Sequence, residues 1–327
     1  MLSSSGKPMR KVDSVFAKDI LDGLTQHPKK LSSKYFYDET GDRIFQEIMA
    51  MPEYYLTNAE FEIFEQHKAR ILEKIGPEPF ELIELGAGDG YKTKILLHHF
   101  LDAKANFTYR PIDISGSVLA QLEQSCASEL PGLDVEPLQG DYFEVIKALQ
   151  QEHDRVRKVI LFLGSNIGNY TPDQAEDFLS KLSDNLEPGD LLFIGIDLKK
   201  APNTIITAYD DPAGITERFN KNLLVRINRE LCGNFDLEQF LHWATYDPIT
   251  GATRSFLIST TDQTVQLQAI NATIRFEAWE SIDMEISQKY SLSEIHRLAK
   301  ASGFEPLWDF TDAQGLFVDT LWGRNAL

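Results

Sequence analysis

The sequence predicts an α/β protein built on a doubly wound, Rossmann-like parallel sheet, joined by a second, smaller α+β domain. Three observations predict it. Short apolar runs at 80–85 (FELIEL), 158–163 (KVILFL) and 190–197 (DLLFIGID) read as buried strands separated by amphipathic helical stretches. A glycine turn, GAGDG at 86–90, follows the first of these strands and opens a helix. After Asp197 the alternation gives way to a helical stretch and then to five successive β-type segments.

Taken in order, residues 14–25 place Val15, Phe16, Ile20, Leu21 and Leu24 at helical spacing. Helical character continues to about Gln66 with a break at Pro52, and Asn58 is expected to cap the helix EFEIFEQHKARILEKI. The FELIEL strand and its turn lead into a helix ending at HHF, followed by the strand FTYRPIDIS (107–115) and the helix SVLAQLEQSCASEL (117–130). GDYFEVI (140–146) reads as an acidic turn, and KVILFLGSNIGNY (158–170) as a fourth strand ending in a glycine-rich loop. Thr171 caps the helix TPDQAEDFLSKLSDNL, and DLLFIGID closes the series. Residues 201–235 look helical, and 239–288 hold HWATYD, TRSFLIST, TVQLQAI, TIRFEAW and SIDMEISQKY, with a turn at PITGA (248–252). A helix returns at SLSEIHRLAKASGF, followed by strands EPLWDF and FVDTLW. The expected division is 61–197 with 289–327 for the sheet domain, and 1–60 with 198–288 for a substrate-binding or lid domain.

Composition bounds the function. The chain has 327 residues with 50 acidic and 32 basic side chains, a formal net charge of −18, which repels phosphate backbones and anionic membranes. Nucleic acid and membrane are therefore not expected as partners. Cys126 and Cys232 make no disulfide framework, which fits a reducing compartment. No apolar run approaches the roughly 20 residues that cross a bilayer, and the N-terminal MLSSSGKPMRKVDS lacks the apolar stretch of a signal peptide. A cytoplasmic monomer is expected. His27, His67, His98, His99, His153, His242 and His296 are scattered, so no metal is implied. Gly164–Gly168 (GSNIG) fits the serine-hydrolase elbow G-x-S-x-G badly.

The glycine turn suits a nucleotide-bearing cofactor, because glycine lets the backbone approach a ligand and bares amides at a helix N-terminus. The dinucleotide fingerprint needs a third glycine where Tyr91 or Thr93 stands. Gly86, Gly88 and Gly90 give G-x-G-x-G instead, common in S-adenosylmethionine-dependent methyltransferases. Asp113, at the end of the second strand, stands where a ribose-binding carboxylate is expected. Asp141, followed by Tyr142 and Phe143, can accept from the adenine amino group while an aromatic ring covers the base. Helix capping explains either aspartate alone. The three elements in order point to a class I S-adenosylmethionine-dependent methyltransferase sheet.

At this point the chain resembles the L-histidine Nα-methyltransferase family of the ergothioneine pathway, to which fungal dimethylallyltryptophan N-methyltransferases are related. The resemblance is carried by KYFYDETGDRIFQEIMAMPEYYLT (34–57), ELGAGDGYKT (84–93), PIDIS (111–115), GDYF (140–143), LFLGSNIGN (161–169), AYDDPAGITERFNKNLL (208–224) and MEISQKY (284–290). It implies methylation, through to the trimethylated product, of the α-amino group of free histidine, with S-adenosylhomocysteine as the second product. It places Gly86, Gly88, Lys92, Asp113, Asp141 and Tyr142 around S-adenosylmethionine. Asn169 and Tyr209 would hold the substrate carboxylate with Gly164 lining that pocket. Tyr37, Phe45 and Tyr54 would surround the amino group and side chain, and Glu285 and Ser287 would bind the imidazole.

Read as residues alone, these positions keep plainer alternatives. Asn169 can orient both substrate groups or be a turn residue after Gly168. Tyr209 and Phe45 can be core aromatics, and Tyr37 and Tyr54 can pack on the sheet domain. Glu285 and Ser287, spaced i, i+2 on a strand, share one face and can satisfy both imidazole nitrogens or simply meet solvent. Ser255 stands where histidine-specific members carry methionine, which leaves room for another amino acid or small amine such as tryptophan or a modified histidine. Asn169 and Tyr37 are the candidates for orienting the amine and passing its proton to water. A non-catalytic nucleoside-binding protein is the remaining alternative, against which the combined array speaks.

Overall fold

The computed structural model describes residues 13–149 and 156–325. The N-terminal stretch weighed for a signal peptide, up to residue 12, and His153 lie outside the described residues. In chain order the first elements are α1 (Ser14–Thr25), β1 (Lys29–Lys30), α2 (Glu39–Met49), α3 (Tyr55–Ile75), β2 (Phe80–Leu85), α4 (Thr93–Asp102), β3 (Phe107–Asp113) and α5 (Gly116–Glu129). They are followed by β4 (Leu138–Gln139), α6 (Tyr142–Leu149), β5 (Arg157–Phe162), α7 (Pro172–Asp184), β6 (Leu191–Asp197), α8 (Pro202–Tyr209) and α9 (Ile215–Leu231). The last are β7 (Phe240–Tyr246), β8 (Ala252–Ser259), β9 (Gln263–Leu267), β10 (Ala272–Phe276), β11 (Ser281–Gln288), α10 (Leu292–Ala301), β12 (Phe304–Thr311) and β13 (Phe317–Arg324).

The chain forms two compact units, one of Tyr55–Lys200 with Gln288–Leu327, the other of the chain up to Tyr54 with Ala201–Ser287. The first carries a seven-stranded sheet in the order β12-β13-β6-β5-β2-β3-β4. From β6 to β4 all pairings are parallel, whereas β13 runs antiparallel to both β6 and β12. The five residues between β12 and β13 are too few for a parallel crossover, so the pair must be a hairpin. Asp312 fixes that turn by accepting the N–H groups of Gln314, Leu316 and Phe317. The expected doubly wound parallel sheet is thus present, with β13 as its one antiparallel strand.

On one sheet face Ile83, Leu85, Ile160, Phe162, Leu192, Ile194 and Ile196 pack against α7 (Phe178, Leu179, Leu182) and α10 (Ile295, Leu298). α3 lies on the other face, where Phe64 meets Phe193 at 6.1 Å between ring centroids. Strand order reverses between β5 and β2, which opens a crevice at their carboxyl ends, the usual ligand position in such sheets.

Several local expectations are corrected. α3 begins at Tyr55, so Asn58 lies inside the helix rather than capping it. GDYFEVI is a helix from Tyr142, because Asp141 accepts the Phe143 N–H at its start. The fourth strand, by contrast, ends in its glycine-rich loop as expected: it stops at Phe162, and Gly164 and Ser165 both adopt left-handed backbone (φ 72° and 57°) that turns the chain. Val15 is exposed; the buried stripe of α1 is Phe16, Ala17, Ile20, Gly23 and Leu24.

The second unit has a four-stranded sheet, β1-β11-β8-β7, and a separate hairpin of β9 and β10. α1, α2 and α9 bury Phe16, Ile20, Ile44, Ile48, Phe219, Leu223 and Ile227 in one core with Leu257, Ile282 and Met284 of the sheet.

Candidate active site

In the sheet-bearing unit the glycine turn leaves β2 at the crevice. Gly86 and Gly88 have φ of 70° and 55°, a left-handed backbone that side-chain-bearing residues seldom adopt. A β-carbon on Gly88 would meet nothing within 4 Å, so the backbone there is open to a ligand. One on Gly86 would lie 2.6 Å from the Tyr142 hydroxyl. Asp113 ends β3 and its Oδ1 accepts the Ser115 N–H at 2.8 Å; Asp141 Oδ1 accepts from Phe143 at 3.0 Å. Burial holds the Tyr142 hydroxyl neutral, with Asp113, Tyr170 and Asp141 adding to the effect. Gly86, Asp113, Asp141 and Tyr142 therefore gather at the ends of β2, β3 and β4, and the open turn with its carboxylates fits a polar nucleoside cofactor.

Behind the turn stands Glu84, 4% exposed, which accepts from the Thr93 hydroxyl at 2.6 Å and from the Tyr109 hydroxyl. Burial pushes its carboxyl up to about 7, against those two hydrogen bonds, which favour the ionised form. An acid whose folded pKa is raised is held neutral at low pH, and the penalty appears as pH climbs from the ordinary carboxylate range through about 7. Stability of the wild-type protein relative to Glu84→Gln is expected to fall between pH 5 and 8 by on the order of 3 kcal/mol. Denaturant unfolding across that range measures it, and parallel curves for the two proteins would refute it.

Lys92, just before α4, pairs with the carboxylate of Glu60 on α3. Glu60 Oε1 also accepts the Gly164 N–H at 2.7 Å. Lys92 Nζ lies 3.7 Å from the point a β-carbon on Gly164 would occupy. Asn169 is exposed at the end of the short 3₁₀ turn Asn166–Asn169.

The second unit gathers the other candidates. The Tyr209 hydroxyl, at the end of α8, lies 2.8 Å from Ser287 Oγ on β11. Ring contacts link Tyr209 to Tyr54 (6.3 Å), Tyr54 to Phe45 (6.4 Å) and Phe45 to Tyr37 (5.5 Å). Phe219 of α9 touches both Tyr37 and Phe45, at 5.6 and 5.7 Å. The Tyr37 side chain keeps 44% of its surface, yet crowding around its hydroxyl, followed by the Glu285 carboxylate, Asp42 and Tyr209, raises its pKa well above the usual phenol range. It stays a neutral donor and acceptor. Ser255 is 1% exposed, opposite Ala244 and on the strand face of Leu257, and its hydroxyl finds no hydrogen-bond partner among the described residues.

Sequence reasoning missed Phe219, Glu60 and a cluster at the end of β6. There Asp197, fully buried, accepts from Lys289 (2.7 Å), the Tyr55 hydroxyl (2.8 Å) and Lys200. Tyr55 and Lys289 belong to the PEYY and SQKY stretches that carried the resemblance, but nothing local to either points to Asp197. Among the described residues no group of three or more His, Cys, Asp or Glu side chains is placed to hold a metal, and no helix is long and apolar enough to cross a membrane.

A sheet of this order, with one antiparallel strand and a glycine turn after its first strand, defines the class I S-adenosylmethionine-dependent methyltransferases. Within that class, the profile described as histidine-specific methyltransferase, SAM-dependent, matches residues 16–324. The chain belongs to that family. It is 36% identical over 301 residues to the histidine N-alpha-methyltransferase of Mycolicibacterium smegmatis, covering 92% of each chain. It is 34% identical to that of Mycobacterium tuberculosis, again over 92% of both. With the 4-dimethylallyltryptophan N-methyltransferase of Aspergillus fumigatus it shares 24% identity, over 94% of this chain and 93% of the relative.

Proposed function

We propose that the protein methylates the α-amino group of free L-histidine with S-adenosylmethionine, through to the trimethylated product. The observation that carries this beyond family membership is the cluster of Tyr37, Tyr54, Tyr209 and Ser287, with Glu285 close enough to influence Tyr37. It offers hydroxyls for a carboxylate, aromatic faces for a cation and an acid for a heterocycle.

The sheet-bearing unit is assigned to the cofactor through Gly86, Gly88, Asp113, Asp141 and Tyr142. The second unit is assigned to the amino acid. When bound, the cofactor's sulfonium supplies an electrophilic methyl group. The protein's own work is to align a neutral amine and keep water away. Tyr209 and Asn169 are assigned to the carboxylate, Gly164 to the wall beside it. Neutral Tyr37 and the Asn169 amide orient the amine and hand its proton to water before each attack. The faces of Tyr37, Phe45 and Tyr54 favour the growing cation through their ring quadrupoles.

The test incubates the purified protein with S-adenosylmethionine and each common amino acid and reads product masses. A gain of three methyl groups on histidine alone is expected. Glu285→Ala should raise the KM for histidine by about 10- to 100-fold, the loss of one charge-assisted hydrogen bond, while cofactor affinity is unchanged. Tyr37→Phe should slow turnover and enrich incompletely methylated product; an unaltered rate and product distribution would remove its assigned role. The buried, unpartnered Ser255 hydroxyl favours a second reading, in which the substrate is a modified histidine or another amine. Transfer to tryptophan and not to histidine would promote it.

A further inference from the structure

The crevice between β2 and β5 is bridged from beneath by groups that the proposed chemistry leaves unused. Glu60 is completely buried on the α3 face of the sheet. One oxygen takes the Gly164 N–H from the loop after β5, and the other takes Lys92 from the end of the glycine turn after β2. A single carboxylate thus ties together the two loops that flank the strand-order reversal. Beside it lies Asp319 of β13, also completely buried, and neither of its carboxyl oxygens has a donor among the described residues. Asp319 stands opposite Gly195 of β6. A β-carbon on Gly195 would collide with Glu60 Oε1 and lie 3.0 Å from Asp319 Oδ1, so the glycine leaves the space that the two acids fill.

Two buried carboxylates with one ammonium would carry net negative charge in a low-dielectric site, and two acceptors facing each other have no proton to share. One proton resolves both difficulties. We propose that Asp319 is held as a protonated acid whose O–H donates to Glu60, and that through Glu60 it positions Lys92 and the Gly164 amide on the two sides of the cofactor crevice. Asp319 is a positioning residue. Burial and the Glu60 carboxylate push its carboxyl well above the usual range, while Lys92 opposes the shift. Other charges on this face are Glu84 on β2 and, two residues along β6, Asp197 with Lys200 and Lys289. The proton is retained at low and neutral pH. As pH rises through the folded pKa it leaves, two carboxylates oppose each other, and the brace weakens.

The inference rests on the cofactor assignment only for its effect on binding, so the test has a readout that needs no cofactor. The infrared difference spectrum of wild type minus Asp319→Asn at pH 7 is expected to show the carbonyl stretch of a protonated carboxylic acid. Absence of that band means both acids are ionised and overturns the proposal. In cofactor titrations Asp319→Asn, whose amide can still donate to Glu60, is expected to stay within about threefold of wild type at pH 7. Its affinity should lack part of the wild type's alkaline decline, since it has no proton to lose. Asp319→Ala and Glu60→Gln should weaken binding by about tenfold or more, the scale of one buried charge-assisted hydrogen bond. Should Glu60→Gln fail to fold, the two Asp319 variants carry the comparison. Equal affinities for Asp319→Ala and Asp319→Asn would overturn the positioning role. Failure of the cofactor assignment looks different: the acid band persists, and wild type shows no binding of S-adenosylmethionine to perturb.

Discussion

Replacing Asp197 with alanine is expected to destabilise the sheet-bearing unit by roughly 3–5 kcal/mol, the cost of breaking a buried ion pair from one side. Lys289 and Asp197 are both completely buried and Tyr55 is 9% exposed, while the Lys200 side chain keeps 7% of its surface. Lys200 also donates to the Tyr55 hydroxyl at 2.7 Å and to the Leu198 carbonyl at 2.6 Å. Without Asp197 the two ammonium groups at the end of β6 lose the carboxylate they share, and Lys200 keeps only the weaker attraction of Asp312. Their positions in the chain add to the consequence. Tyr55, Lys200 and Lys289 stand at, or within two residues of, the three points where the chain passes from one unit to the other.

The pH dependence of that loss has a definite sign. Burial pulls the Lys200 ammonium down to about 8, although Asp197 works to keep it charged. In Asp197→Ala this support is gone and Lys200 sheds its proton more readily. A lysine with a depressed folded pKa is a burden while charged and is relieved as pH rises. The destabilisation should therefore be largest near neutrality and shrink towards pH 9–10. Thermal melts at pH 7 should show a drop on the order of 10 °C. A loss of less than about 1 kcal/mol in denaturant unfolding would mean that the lysines find other compensation.

What was legible in the chain follows from how far each signal reaches. The strand–turn–helix at 80–102 is written in consecutive residues, so its period and its glycines could be read directly. The same holds for Asp113 and Asp141, placed by the ends of their strands. Glu60 and Asp197 could not be found this way. Glu60 meets Gly164 across 104 residues and Tyr55 meets Asp197 across 142, and no local period marks either acid as buried. Local propensity also misled where tertiary contacts decide. Asn58 is a good cap by type, but Tyr55, anchored on Asp197, starts the helix a turn earlier. The final strand was legible as a strand, and the short connection at Asp312 that makes it antiparallel to β12 stands in the sequence between the two runs.

Gly86→Ala is expected to weaken S-adenosylmethionine binding by about 30- to 100-fold, by two separable routes. A side chain at φ 70° costs roughly 1–2 kcal/mol, so the turn relaxes in the free protein and the cofactor must restore it. The new methyl group also lies 2.6 Å from the Tyr142 hydroxyl and displaces that ring from its place beside Asp113 and Asp141. Tyr142→Phe removes only the colliding atom, since the next ring carbon is 3.7 Å away. In the Tyr142→Phe background, Gly86→Ala should therefore cost less, with a coupling of about 1 kcal/mol between the two sites in a double-mutant cycle. Calorimetric titration of the four proteins measures it. A Gly86→Ala protein that melts lower yet binds the cofactor as tightly as wild type would show the turn to be a purely structural bend. Full additivity in the cycle would show instead that Tyr142 takes no part in shaping the site.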